Sequence, residues 1–172
     1  MEGKSVIMTD FNKTIIEYLL QCPTIRDNPL YFNAINAKDN NKQVITVAND
    51  RAINKPYIDG SVMKRYTFTI IDFRSISYQA IVKNESGGLD DTRISENITE
   101  MLDVQGILDW ITEMNELRDY PNFGKGYSVD SIQATTDTPT LNGIDTNLTP
   151  ALAKYSITIQ VDYLDFTKTL WR

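Results

Sequence analysis

Apolar and polar residues alternate along two unusually long stretches of the chain, at positions 61–77 and 154–166. A β-strand with one buried face requires this period of two. In the first stretch the alternation slips by one residue at Ile70-Ile71, which predicts either a β-bulge or a strand buried on both faces. In the second stretch the apolar residues take every other position: Tyr155, Ile157, Ile159, Val161 and Tyr163.

Near the start of the chain, apolar residues recur at helical spacing and predict a helix over about positions 10–21. Thr9 or Asp10 is the expected N-cap, and Cys22-Pro23 is expected to end the helix because proline disfavours the helical conformation of the residue before it. The residues on its apolar face are Phe11, Ile15, Tyr18, Leu19 and Cys22.

Two consecutive helices are predicted between the long strands, the first carrying an apolar stripe from Ile94 to Leu102 and the second over about positions 104–117. Asp90 or Asp91 is the expected N-cap of the first. The second is expected to lie across the sheet. The apolar stripes are Ile94, Ile98, Met101 and Leu102 in the first helix, and Val104, Ile107, Leu108, Ile111 and Met114, broadened by Trp110, in the second.

The remaining elements complete a fold of the α+β class, with an antiparallel β-sheet and helices packed on one face. Asp59-Gly60 predicts a tight turn into the first long strand, and the polar segment 136–150 predicts a long loop. At 172 residues we expect a single domain over 1–172, with 166–172 as a C-terminal tail. Shorter strands are predicted at 30–37, 43–48, 53–57 and 127–135.

The chain contains no histidine and one cysteine, Cys22. Ser-His and Cys-His nucleophiles and a cysteine zinc site are therefore excluded, and Cys22 is predicted to be a buried packing thiol. Gly124-Lys125-Gly126 lacks the spacing of a phosphate-binding loop. Helix capping and a polar strand face explain Asp90/Asp91 and Asp162/Asp165 better than a carboxylate dyad or a magnesium site does. We predict no catalytic residue, no cofactor and no metal, and expect no enzyme activity.

The formal net charge of −6 argues against binding to nucleic acid, because phosphate contacts need clustered lysine and arginine. Lys64, Arg65 and Arg74 lie near Tyr66 and Phe73 in sequence and resemble a stacking platform for a single strand. The acidic total favours charges at a strand margin or interface contacts instead. No apolar run approaches the roughly 20 residues that cross a bilayer, so we expect no membrane contact and a cytoplasm-like compartment.

Some features are hard to explain for a monomer and predict contacts with partner proteins. A polar loop as long as 136–150 is uncommon in a compact domain unless it binds something. Tryptophan and arginine are common interface anchors. The predicted partner-binding residues are Thr138, Leu141, Asn142, Ile144, Asn147, Arg65, Trp171 and Arg172.

Four segments resemble, in their order and spacing, the small tail-terminator proteins, often labelled minor capsid proteins, of phages of low-GC Gram-positive bacteria. The resemblance spans nearly the whole chain, and the chain departs from the family's pattern at 84–88 and after Asp165. The segments are 16–20 followed by Cys22-Pro23, Tyr57-Ile-Asp-Gly-Ser61 before the first long strand, Ile107-Leu-Asp-Trp110 followed by Tyr120-Pro121, and Lys154-Tyr-Ser-Ile-Thr-Ile-Gln160 before Tyr163.

The resemblance implies a tail-terminator-like fold that assembles as a homo-hexameric ring. Such a ring caps the head-proximal end of the tail tube, ends tube polymerisation and presents a surface to the neck. The implied partners are the tail tube protein, the neck, connector or collar proteins and, in a contractile tail, the sheath protein. DNA passes through the lumen without specific binding. The implied location is the host cytoplasm during assembly, then the virion or a phage-tail-like bacteriocin particle.

Two alternatives stay open. A head-completion or connector protein, one ring higher in the same particle, would have portal-side partners instead of tube subunits. A small cytoplasmic enzyme that uses carboxylates or a Ser-Lys pair would require a deep pocket with carboxylates of shifted pKa.

Overall fold

The computed structural model describes residues 3–33, 42–47, 55–77 and 91–168, with side chains described at 11–33, 55–77 and 96–168. The fold is α+β, as predicted. Its elements in chain order are α1 (Gly3–Leu19), α2 (Pro23–Arg26), β1 (Leu30–Phe32), β2 (Lys42–Val47), β3 (Lys55–Pro56), β4 (Val62–Ile76), α3 (Asp91–Leu117), β5 (Tyr127–Ala134), β6 (Thr140–Asp145) and β7 (Ala151–Asp165).

A seven-stranded sheet is centred on the two long strands β4 and β7, each of 15 residues. β2 and β3 follow one another along the far side of β4, and β5 and β6 follow one another along the far side of β7. β1 pairs with β2 in parallel, and the other pairings of the described strands are antiparallel. Each long strand therefore pairs on its far side with two short strands in succession.

β4 and β7 pair without a register shift, from Val62 with Asp165 to Ile76 with Ala151. The slip in the sequence pattern at Ile70-Ile71 is therefore not a bulge. Ile70 is fully buried, and Ile71 is only 9% exposed on the opposite face. The second alternative is correct: β4 is buried on both faces in this part, which is why apolar residues occur there without alternation.

One face of the sheet, which we call the inner face, packs against α1 and α3 in the main hydrophobic core. The alternating apolar residues of β7 all point into this core, because side chains two positions apart share a face of a strand. The other face of the sheet, which we call the outer face, carries Ile71 and Phe73 as a small second cluster. The largest fully buried side chains of the strands are Phe68, Ile70, Ile132, Ile157 and Ile159.

Helix α1 begins at Gly3, seven residues before the predicted start at position 10, so Thr9 and Asp10 lie inside the helix and do not cap it. Its predicted apolar face is buried as expected. Phe11 stacks on Phe123, with ring centroids 4.2 Å apart, and meets Tyr163 edge-on at 5.4 Å. This aromatic cluster holds α1 against the inner face near the end of β7.

The two helices predicted between the long strands are one continuous helix, α3, of 27 residues. Nothing between Leu102 and Val104 breaks a helix. The two apolar stripes are offset by roughly 130° at about 100° per residue, the 3.6-residue period, and this offset produced the wrong prediction. Only the second stripe, from Val104 to Ile111, is buried against the sheet; Ile98, Met101 and Leu102 are exposed.

The predicted loop at 136–150 is also wrong, because β6 lies within it and pairs with β7. Strand β7 accordingly begins at Ala151, three residues before the predicted start. The shorter strands occur where predicted within the described residues, and positions 34–37, 48, 53 and 54 lie outside these. The turn at Asp59-Gly60 is confirmed: Gly60 has a φ of 85°, and Ser61 donates to the Asp59 carboxylate.

Replacing Phe68 with alanine should lower the free energy of unfolding by about 3–5 kcal/mol, because a large buried side chain leaves a cavity at the centre of the sheet. Urea denaturation followed by circular dichroism measures this change. Leu117→Ala is the matched control, because Leu117 is 65% exposed and should change stability by less than about 0.5 kcal/mol. Equal losses in the two variants would contradict the assigned core.

Candidate partner-binding site

Strand β6 lies at the edge of the sheet, and all six of its residues are exposed. In the described part of the chain it pairs only with β7. A strand edge of this kind is a surface on which another chain can pair or pack. Three of the predicted partner-binding residues lie on it, Leu141, Asn142 and Ile144, and Thr138 and Asn147 flank it in exposed positions.

A β-bulge at Asn142 sets the direction of the β6 side chains. Leu141 pairs with Tyr155, and Ile144 pairs with Ala153. Both partners belong to the inner-face positions of β7, so Leu141 and Ile144 lie on the same face although they are three residues apart. In a regular strand this spacing would put them on opposite faces. The extra residue therefore places two exposed apolar side chains on the inner face of the sheet, where α3 lies.

The segment between β5 and β6 is held against α3 at one point. Gln105 donates from Nε2 to the main-chain oxygen of Asp137 at 3.1 Å and to the Asp109 carboxylate at 3.0 Å. Below this contact a groove of about 330 Å³ separates α3 from β5, and its lining on the helix includes Asp109 and Thr112. This side of α3 therefore borders the β5 and β6 edge of the sheet.

The first half of α3 is held to the sheet by a buried arginine. Arg74 donates from Nε and Nη2 to the Asp72 carboxylate at 2.6 and 3.2 Å, and the Arg74 and Asp72 side chains are 4% and 1% exposed. Nη1 of Arg74 reaches Asp103 at 3.3 Å and Glu100 at 3.5 Å on α3. Burial lowers the pKa of Arg74, but the carboxylates outweigh burial and raise it overall. Arg74 stays charged and fixes the orientation of the helix.

This contact decides which side of α3 faces outward. Because Glu100 and Asp103 face Arg74, the helix turns its apolar stripe of Ile98, Met101 and Leu102 away from the inner face. At helical spacing, that stripe continues along α3 into Gln105 and Asp109, which border the groove. We call the exposed side chains on α3 and β6 the apolar patch; its members are Ile98, Met101, Leu102, Leu141 and Ile144, from 38% to 56% exposed.

The two β6 members of the apolar patch were predicted from the sequence as partner-binding residues, and the three α3 members were not. Ile98, Met101 and Leu102 were predicted to form the stripe of a separate helix. The angular offset between the two stripes was the signal that could have found them, because neither glycine nor proline separates one stripe from the other. An uninterrupted helix with offset stripes can bury only one of them against a single sheet.

Arg65 does not join the other predicted partner-binding residues. Its guanidinium holds the Asp162 carboxylate through two hydrogen bonds of 2.6 and 2.8 Å on the outer face, several residues along β7 from β6. Lys64 binds Asp165 at 2.5 Å on the inner face. Asp162 and Asp165 therefore lie on opposite faces, each with its own cation, and do not form a dyad. Trp171 and Arg172 lie outside the described residues.

A second concave surface lies on the outer face at the other end of the sheet. It has a volume of about 500 Å³ and includes Tyr57, Ile58, Met63 and Leu164 in its lining. Ile58 is fully exposed at the tip of the β3–β4 turn. The hydrogen bonds from Ser61 lower the pKa of Asp59, which secures this turn. The turn belongs to one of the four segments on which the family resemblance is based.

Comparison with known proteins gives no family for this chain: no protein-family model matches its sequence, and no curated protein matches it. Among the residues with described side chains, no group of three or more acidic or cysteine side chains is placed to hold a metal ion. No helix in the described ranges is long and apolar enough to cross a membrane. Cys22 is fully buried, as predicted, and burial raises the pKa of its thiol.

Arg74→Ala should lower the free energy of unfolding by about 3–5 kcal/mol, because the buried Asp72 carboxylate loses the guanidinium that neutralises it. Denaturant unfolding measures the loss. The matched control is Arg26→Ala: Arg26 pairs with Asp27 at 3.0 Å, but both side chains are more than 60% exposed, so solvent screening should leave stability nearly unchanged. A loss of 1 kcal/mol or less for Arg74→Ala, on the same scale, would contradict the anchoring role of Arg74.

Proposed function

We propose that this chain is a non-enzymatic structural subunit of a phage tail or a phage-tail-like particle. Copies of it assemble as a ring at the head-proximal end of the tail tube, and the ring ends tube polymerisation. The resemblance of four segments to tail-terminator proteins, in order and spacing along nearly the whole chain, supports this function. The α+β fold with an antiparallel sheet is compatible with it.

The observation that carries the proposal is the apolar patch beside an exposed strand edge. Exposed apolar side chains beside an exposed strand edge often mark contacts with other proteins. Here the exposed apolar residues lie on α3, which Arg74 holds to the sheet, and on β6, which pairs with β7. A subunit that works through contacts with its neighbours requires a surface of this kind.

The charge supports the same function. A formal net charge of −6 repels the phosphate backbone. A ring through which DNA passes without specific binding benefits from this sign, because clustered cations would retain the DNA. Lys64 and Arg65 form ion pairs with Asp165 and Asp162. The positive charges of these two residues of β4 are therefore largely compensated.

The proposal predicts that the purified protein shortens tail tubes. Tube subunits from the same particle polymerise alone or with increasing amounts of the protein, and electron microscopy measures tube length and counts capped ends. The mean length should fall as the protein concentration rises, and end-on views should show rings of six at one end of each tube.

Leu141→Asp tests the patch in this assay, and Leu117→Asp is its matched control at another exposed position of the chain. Leu141→Asp should leave tubes long, whereas Leu117→Asp should cap like the unchanged protein. Tubes that grow equally long with and without the unchanged protein would overturn the proposal. Binding to portal-side proteins without any effect on tube length would assign the chain to the head-completion class.

A further inference from the structure

The apolar patch has carboxylates around it. Asp109 lies on α3 in line with the exposed stripe, and it is itself exposed. Asp145 ends β6, Asp137 lies three residues before its start, and both are exposed. A segment that fits this surface has apolar side chains in its middle and cations at its ends, because its positive charges then face carboxylates while the apolar area is covered.

One segment of this chain has that chemistry. Residues 168–172 read Lys-Thr-Leu-Trp-Arg, with Leu170 and Trp171 between the cations Lys168 and Arg172. Tryptophan and arginine are the residue types that most often anchor interfaces. The described chain reaches Lys168, and Trp171 follows three residues later.

The patch of the same chain is out of reach of this segment. Patch residue Ile144 lies beside Ala153, near the start of β7, whereas position 168 follows the end of that strand. Leu141 pairs with Tyr155, and the ten steps from Tyr155 to Asp165 extend about 33 Å at about 3.3 Å per residue. From Asp165 to Trp171 the chain spans at most about 22 Å. Along a strand of this length the segment therefore ends about 10 Å short of Leu141 of its own chain.

We propose that residues 168–172 of one copy dock on the apolar patch of a neighbouring copy. This inference rests on the proposed ring and names the contact between its subunits. Leu170 and Trp171 cover the patch, and Lys168 and Arg172 meet the carboxylates beside it. Each copy gives one segment and receives one, so the contact is head-to-tail. A head-to-tail contact repeats around an axis and produces a ring when the rotation closes.

Cysteine crosslinking tests this contact. The double variant Leu141→Cys/Trp171→Cys is oxidised with and without tube subunits and run on a non-reducing gel. Cys22 is fully buried, so only the two introduced thiols react. We expect a ladder of covalent oligomers in steps of 19.6 kDa that ends at the closed ring. Each single variant alone should give no species larger than a dimer.

The control for position is Leu117→Cys/Trp171→Cys, because Leu117 is exposed on α3 but lies outside the patch. This double variant should give no ladder of covalent oligomers. In a second measurement, Trp171→Ala should shift the mass found by light scattering from the ring toward the monomer. The docking is wrong if the Leu141→Cys/Trp171→Cys variant gives no ladder under either condition. It is also wrong if that variant gives dimers only, because a two-fold contact stops at two copies.

Failure of the docking and failure of the proposed function give different results. Rings that cap tubes while the double variant gives no ladder would overturn the docking and keep the proposed function. A ladder from a protein that leaves tube length unchanged would keep the docking and overturn the role as a terminator.

Discussion

The antiparallel pairing of β4 with β7 is the interaction on which the rest of the structure depends. Fifteen residue pairs match without a shift, so the alternating apolar positions of β7 all reach the same face. A slip of one residue would turn every one of these side chains to the other face and remove the core. Helices α1 and α3 pack on that face, and the short strands β2, β3, β5 and β6 take their register from these two strands.

One buried charge, that of Arg74, determines where the candidate site lies relative to the paired strands β4 and β7. Arg74 lies on the inner face of β4, paired with Ala153 of β7, and its contacts with Glu100 and Asp103 set the rotation of α3. A buried ion pair contributes little net stability, but it specifies an arrangement because a misplaced partner leaves a buried charge. Here the specified arrangement exposes three apolar side chains of α3 beside the edge strand β6.

The sequence predicted which helices and strands form better than it predicted what each of them packs against. The long strands, the apolar face of α1, the Asp59-Gly60 turn and the second stripe of α3 all follow from local periodicity or turn chemistry, and the structure confirms them. The prediction failed where two local signals competed. In α3 the change of stripe suggested a break, and at 136–150 the polar composition concealed a strand whose residues are all exposed. Because of the bulge at Asn142, the sequence pattern does not show that Leu141 and Ile144 lie on the same face.

The period of each strand and helix, the absence of histidine chemistry and the negative net charge can all be read from the sequence, because they depend on residue types and their spacing. The packing of the folded chain sets which stripe of α3 is buried, that Ile71 is buried on the second face of β4, and that Arg65 is held by Asp162. These properties depend on residues distant in the chain, and periodicity carries no information about which element lies opposite. The apolar patch combines the two: the sequence supplies its residues, and the packing of α3 and β6 brings them to one side of the molecule.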